Sequence, residues 1–269
     1  MRIALVACFA LALANGPIGI LLLMRRESMG GNVLSHAVMP GAAIGFLYTG
    51  YSLAALTLGG LLTGLAVATL AVLTARAGPQ RQDPSLIAFY LVSLSFGVLI
   101  VAARGSQADL MHVLFGTVLA VDVKALVLIA SISSVTMLLV AALYRPLAVE
   151  SFDPVFLRAV GGGGGAFRAI FITLVVLNLV ASFQAFGTLL AIGPMLLPAA
   201  AARCWTRKVW PMIALATVFG MAASLAGLLI SYYANLPSGP AIVVGGGAIY
   251  GMSLLAAGWM QLKPKRPER

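Results

Sequence analysis

The sequence predicts an all-α fold, a polytopic membrane bundle of eight or nine transmembrane helices. Three observations carry that expectation. Of 269 residues, 61% are hydrophobic and only 9% are charged, whereas a soluble domain carries about 25% charged residues. The mean hydropathy is +1.05, and eight or nine stretches approach the roughly 20 apolar residues that one bilayer crossing needs. The basic residues, Lys124 apart, also fall between or at the edges of those stretches. A water-soluble globular chain is excluded, because so few charges cannot cover its surface.

The first span is expected at residues 3–23, closed by Arg25, Arg26 and Glu27. Its apolar run is too long for a secretory h-region, and the arginines follow it rather than precede it, so it reads as a retained span. Met29-Gly30-Gly31 leads into a second span at 33–50, and a third covers 53–74. A polar loop with Gly78-Pro79 and Asp83-Pro84 separates the third from a fourth at 85–103. Residues 109–120 are too short to cross and suit a tilted or re-entrant segment. A fifth span follows at 122–143.

Residues 145–168 form the longest stretch expected not to span. Asp153-Pro154 has the chemistry of a helix start, with a capping carboxylate followed by a proline that needs no N–H donor. Gly161 suits the stop. The sixth and seventh spans, 169–187 and 188–202, are hard to separate, because Gly187 and Gly193-Pro194 interrupt one apolar run. If they are one broken helix, the count falls to eight. Spans at 211–231 and 241–260 complete a single transmembrane domain over residues 1–260, with a basic tail at 261–269.

With the N-terminus outside and nine spans, 14 of the 17 Lys and Arg residues lie on the inner side. That matches the bias of cytoplasmic loops towards Lys and Arg. It also accounts for the net charge of +10 without nucleic acid, for which no polar binding face exists. The expected location is the inner (plasma) membrane, in contact with lipid. Cys8 and Cys204 lie in or beside apolar stretches with no CxxC spacing, which supports neither a disulfide framework nor a thiolate metal site. Glycines recur inside spans, as in Gly59-Gly60-x-x-x-Gly64 and Gly245-Gly246-Gly247-x-x-x-Gly251, a pattern that lets membrane helices pack closely.

Polar residues within the apolar stretches are the functional candidates. His36 follows Asn32 by one helical turn, so both lie on one face. Either His36 hydrogen-bonds across helices or the pair lines a solute path, where imidazole is a good ligand for borderline transition metals. His112 follows Asp109 by three residues; that pair is either a polar cluster at the interface or a cation contact near the outer mouth. Asp122 and Lys124 are two apart and do not share a helical face. There is no HExxH, no nucleophile elbow and no P-loop, since the run Gly161–Gly165 lacks the following Lys-Ser/Thr. The chain is therefore not expected to be an enzyme, and any ATP hydrolysis belongs to another subunit.

Several segments resemble one family in the same order. Arg25-Arg26 through Gly30-Gly31-Asn32-Val33-Leu34-Ser35-His36-Ala37-Val38-Met39-Pro40-Gly41 is similar to a signature of the zinc/manganese/iron ABC transporter permeases. Asp109-Leu110 with Leu114-Phe115-Gly116, Asp153-Pro154 through Gly161, Leu196 through Arg203, and Ser231-Tyr232-Tyr233 with Pro237-Ser238-Gly239-Pro240 resemble later elements. The resemblance implies the membrane subunit of an importer of divalent metal ions, with the ion as cargo and no tightly bound cofactor. It implies ABC ATPase subunits at the cytoplasmic face, an extracytoplasmic metal-binding receptor protein, and a second permease copy or a similar permease. Residues 145–168 become the segment coupling to the ATPase, with Asp153, Pro154, Arg158 and Gly161 at its centre. Asn32, His36, Asp109 and His112 become the contacts along the ion path, with His36 the metal ligand. The chain departs from the pattern at Asn32 and Asn235, where the family usually has Asp, and in its five-glycine run. Permeation of a metal chelate or other small solute, an ATPase-independent secondary transporter and a non-transporting membrane subunit are the competing readings.

Overall fold

A computed structural model of the chain describes residues 1–25, 28–49, 52–77, 91–93, 95–96, 99, 118, 121–153, 156–157, 164–187 and 190–262. They are mostly helical, with no strand among the described residues. The principal helices are α1 (Arg2–Met24), α2 (Ser28–Ala37), α3 (Met39–Thr49), α4 (Leu53–Ala77), α5 (Val123–Ala142), α6 (Tyr144–Phe152), α7 (Gly164–Phe186), α8 (Gly193–Trp205), α9 (Val209–Ala234) and α10 (Ser238–Leu262).

Six of these, α1, α4, α5, α7, α9 and α10, are long and apolar enough to cross a bilayer. The expected eight or nine spans are thus not reached among the described residues. The expected second span is broken at Val38 into α2 and α3, because Pro40 has no N–H to continue the ladder. Its apolar part, Val33–Gly45, rises only about 20 Å, against about 30 Å of hydrocarbon. The expected seventh span is α8, only 13 residues long. Gly187, at φ 77°, closes α7 before it. The expected fourth span, at 85–103, lies largely outside the described residues.

Burial separates a centre from a rim. The spanning stretch of α1 is 72% buried and that of α7 67%, whereas α5, α9 and α10 bury 28%, 33% and 17%. Around α1 pack α5, α8 and α9; α7 packs against α4 and α5. One apolar cluster joins Ile18, Leu21 and Leu22 of α1 to Leu174, Val175 and Leu179 of α7, with Leu34 of α2 and Met195 of α8. A second links Ala7, Cys8 and Leu11 to Ile129 of α5 and Phe186. Cys8 and Cys204 are both free. The rim helices turn Val127, Leu138, Val218, Val244 and Leu255 outwards, as helices facing lipid or another membrane helix must.

The first glycine motif works as a packing device. A methyl added at Gly41 would run into the Gly59 carbonyl, and one at Gly59 into the Gly41 carbonyl, so α3 and α4 touch backbone to backbone. In the second motif, Gly245 and Gly246 meet α9 and Leu197, while Gly247 and Gly251 meet nothing within 4 Å. Asn235 ends α9 in the left-handed region, at φ 52°, a conformation that Asn tolerates better than most residues.

Candidate functional site

His36 sits in the last turn of α2, next to Ser35, and both side chains are buried. Hydroxyls reach backbone carbonyls at the adjoining elbow, where the Val38 carbonyl also accepts from the Ala42 N–H at 3.2 Å. Thr63 Oγ1 of α4 lies 3.4 Å from the Val38 carbonyl oxygen, with the Gly59 and Gly60 carbonyls of its own helix nearer at 3.1 and 3.2 Å, and Ser93 Oγ donates to the Ala37 carbonyl at 3.4 Å. Together with the Gly41–Gly59 contact, these groups tie the elbow that follows His36 to α4. Asn32 lies one turn earlier on the same helix, but its side chain is outside the described residues. Asp109 and His112 lie wholly outside them. Among the described residues, no three His, Cys, Asp or Glu side chains come together as a metal-binding group.

The second polar centre is one that sequence reasoning missed. Arg25, just past α1, forms a buried ion pair with Glu150 of α6; the two side chains are 5% and 6% exposed. Arg25 Nε donates to Ser151 Oγ at 3.0 Å, and its guanidinium lies 3.7 Å from the centroid of Phe171 on α7. Ser151 Oγ donates in turn to the Leu147 carbonyl at 2.6 Å. The planar guanidinium satisfies a carboxylate, a hydroxyl and an aromatic face at once, which a lysine would not. This clasp joins α1, α6 and α7, and Arg25 stands shortly before α2, the helix carrying His36, in the sequence. The partners are 125 positions apart, so no local pattern marked them. Only the scarcity of acids, seven in 269 residues, gave a signal.

Residues 145–168 are not one loop. Their first part is α6, with Pro146 in its opening turn. Asp153 ends α6, its N–H donating to the Val149 carbonyl at 2.8 Å, while its Oδ1 accepts from the Phe156 N–H at 2.9 Å. It therefore closes one helix and caps the turn that follows, as its pairing with proline led us to expect. Phe152 and Phe156, on either side of it, are exposed. Pro154, Arg158 and Gly161 lie outside the described residues. Asp122 caps α5, accepting from the Ala125 N–H at 2.7 Å.

Residues 1–257 match the ABC 3 transport family. The chain belongs to that family. The permease family identified from the sequence signatures is thus confirmed, and the protein is a multi-pass chain of the inner membrane. This ABC 3 chain is 29% identical over 254 residues to the manganese import system permease protein ScaB of Streptococcus parasanguinis, covering 94% of this chain and 89% of the relative. It is 31% identical over 255 residues to the manganese transport system membrane protein MntC of Listeria monocytogenes, again covering 94% and 89%. Its fold is similar to PsaBC from Streptococcus pneumoniae, solved in complex with Fab, with a TM-score of 0.87 and 26% identity, covering 97% of this chain and 94% of that one. The likeness extends over nearly the whole length in each case, so the ABC 3 chain is a permease of a metal ABC transporter, a transport subunit rather than an enzyme.

Proposed function

We propose that the chain is the translocating subunit of a manganese importer, working as a dimer with separate ATPase subunits below it and a metal-binding receptor outside. The relatives named above support the choice of manganese. Ligand chemistry points the same way. An amide oxygen at Asn32 and a carboxylate at Asp109 are harder donors than thiolates, and suit manganese better than a set built on cysteine. His36 and His112 complete the proposed contacts. Asn32 carries no charge, so the site holds the ion less tightly than an aspartate would, and release inward is easier.

The observation that carries the mechanism is the Arg25–Glu150 clasp. The segment around Asp153, with exposed Phe152 and Phe156, is the proposed contact to the ATPase. Pro154, Arg158 and Gly161 extend that surface. Movement there pulls on α6, and the clasp passes it to the end of α1 and so to α2 and His36. A hydrated divalent cation cannot cross hydrocarbon, so the two packings of the bundle must open a polar route alternately to each side.

The test is uptake of manganese, zinc and iron into proteoliposomes holding the permease, its ATPase and its receptor. The expected result is ATP-dependent manganese uptake exceeding the other two. Equal or greater zinc or iron uptake would overturn the choice of metal, and uptake without the ATPase would overturn the importer class. In the same system, His36→Ala should lower transport per assembled complex.

A further inference from the structure

A cavity of about 860 Å³ opens at the end of the bundle where α1, α6, α7, α8 and α9 meet. It falls within the size of small-molecule sites, about 300–1,000 Å³. Its lining includes Arg25, Arg168, Arg203 and Arg207, against one carboxylate, Glu150, among the described residues, with Thr206 adding a hydroxyl. That excess of guanidinium repels a divalent cation, so the cavity is not a stretch of the ion route. It calls for an anion with several oxygens, the chemistry of a phosphate.

The surroundings indicate which phosphate. Trp205 and Trp210, beside the cavity in sequence, are 50% and 64% exposed, and Tyr144 packs on Trp210 with ring centroids 5.0 Å apart. Exposed tryptophans at the ends of membrane helices mark the headgroup level. The charge distribution of the loops places this end on the cytoplasmic side. Basic pockets between membrane helices on that side are suited to acidic lipid headgroups. We propose that the cavity seats the phosphodiester headgroup of an anionic phospholipid of the cytoplasmic leaflet, with Arg203 and Arg207 at its mouth and Arg168 deeper.

The full-length chain, purified in detergent and stripped of lipid, provides the test. Thermal unfolding is followed with added cardiolipin, phosphatidylglycerol, phosphatidylcholine or inorganic phosphate. Cardiolipin and phosphatidylglycerol should raise Tm by several degrees, and the other two should not. The rise should vanish in Arg203→Gln/Arg207→Gln, whose side chains are exposed, and persist when Lys263, Lys265 and Arg266 of the tail are changed to Gln. An equal rise in the Arg203/Arg207 variant would overturn the proposal. So would an equal rise with inorganic phosphate, which would assign a soluble anion. A variant that keeps the lipid response but loses its ATPase would assign the arginines to an acidic protein segment instead.

Discussion

Two of the polar regions described inside this bundle are built differently. At the end of α1 the polar groups are ionic, Arg25 against Glu150. Further along α1 and α7 they are neutral. Asn15 Nδ2 donates to Ser182 Oγ at 3.2 Å, and Asn178 Nδ2 donates to Thr136 Oγ1 at 2.9 Å and to the Leu174 carbonyl at 2.8 Å. Full charges are kept where the helices end and water is near, and amides and hydroxyls are used in mid-bundle, where a lone ion is far more costly. The ionic region ties α6 to the ends of α1 and α7, where we propose that motion is passed on, while the neutral one holds α1, α5 and α7 together.

The sharpest way to break the contrast is to remove one ion. Glu150→Ala leaves Arg25 buried beside Phe171 without its carboxylate, and breaking a buried pair in this way costs about 3–5 kcal/mol. Thermal unfolding in detergent should show a large fall in Tm. The exchanged pair Arg25→Glu/Glu150→Arg should regain part of the loss. If the single variant unfolds like the parent, the clasp contributes nothing and the proposed link from α6 to α2 loses its basis.

How much of this contrast was legible beforehand depends on what hydropathy can distinguish. The spanning stretches of α1 and α9 have the same mean hydropathy, 2.2, yet one is 72% buried and the other 33%. In lipid both the packed and the exposed face are apolar, so no amphipathic stripe separates the centre from the rim. Asn15 and Asn178 lie on those central helices and were not singled out from the sequence, although an amide in hydrocarbon needs a partner. The burial of His36 agrees with its reading as a polar residue turned inwards, and Asp153 caps the turn that follows it, in keeping with its expected place at a helix start. The break at Val38 was hidden because Met39-Pro40-Gly41 lies within a continuous apolar run. The clasp was hidden because its charges meet only once α1, α6 and α7 have packed.

Crowding and hydrogen bonding offer milder tests away from the ionic region. Gly59→Leu should separate α3 from α4, because the side chain would displace the Gly41 backbone. Overpacking of this kind costs about 1–3 kcal/mol, and a lower Tm together with weaker transport would register it. Asn178→Leu removes one interhelical bond, and such bonds in membranes average about 0.6 kcal/mol with a maximum near 1.7. A small Tm decrease is expected, well below that of Glu150→Ala. A loss as large as the ionic variant's would erase the distinction between the two regions.

The smallest effect on stability should come from Asp153→Ala, and it separates stability from coupling. The carboxylate caps a solvent-exposed turn through the Phe156 N–H, and losing such a cap costs about 1 kcal/mol. Because the turn lies outside the packed bundle, that cost should fall on the segment itself and leave global unfolding nearly unchanged. Amide exchange at Phe156 and Leu157 should accelerate. In proteoliposomes with the ATPase and receptor, the ATP consumed per metal ion moved should rise, since a frayed turn transmits less of the closing motion to α6. Asp153→Asn, which retains an oxygen to cap the turn, should lie close to the parent. If Asn and Ala behave alike in exchange and in coupling, the carboxylate acts through its charge rather than as a cap.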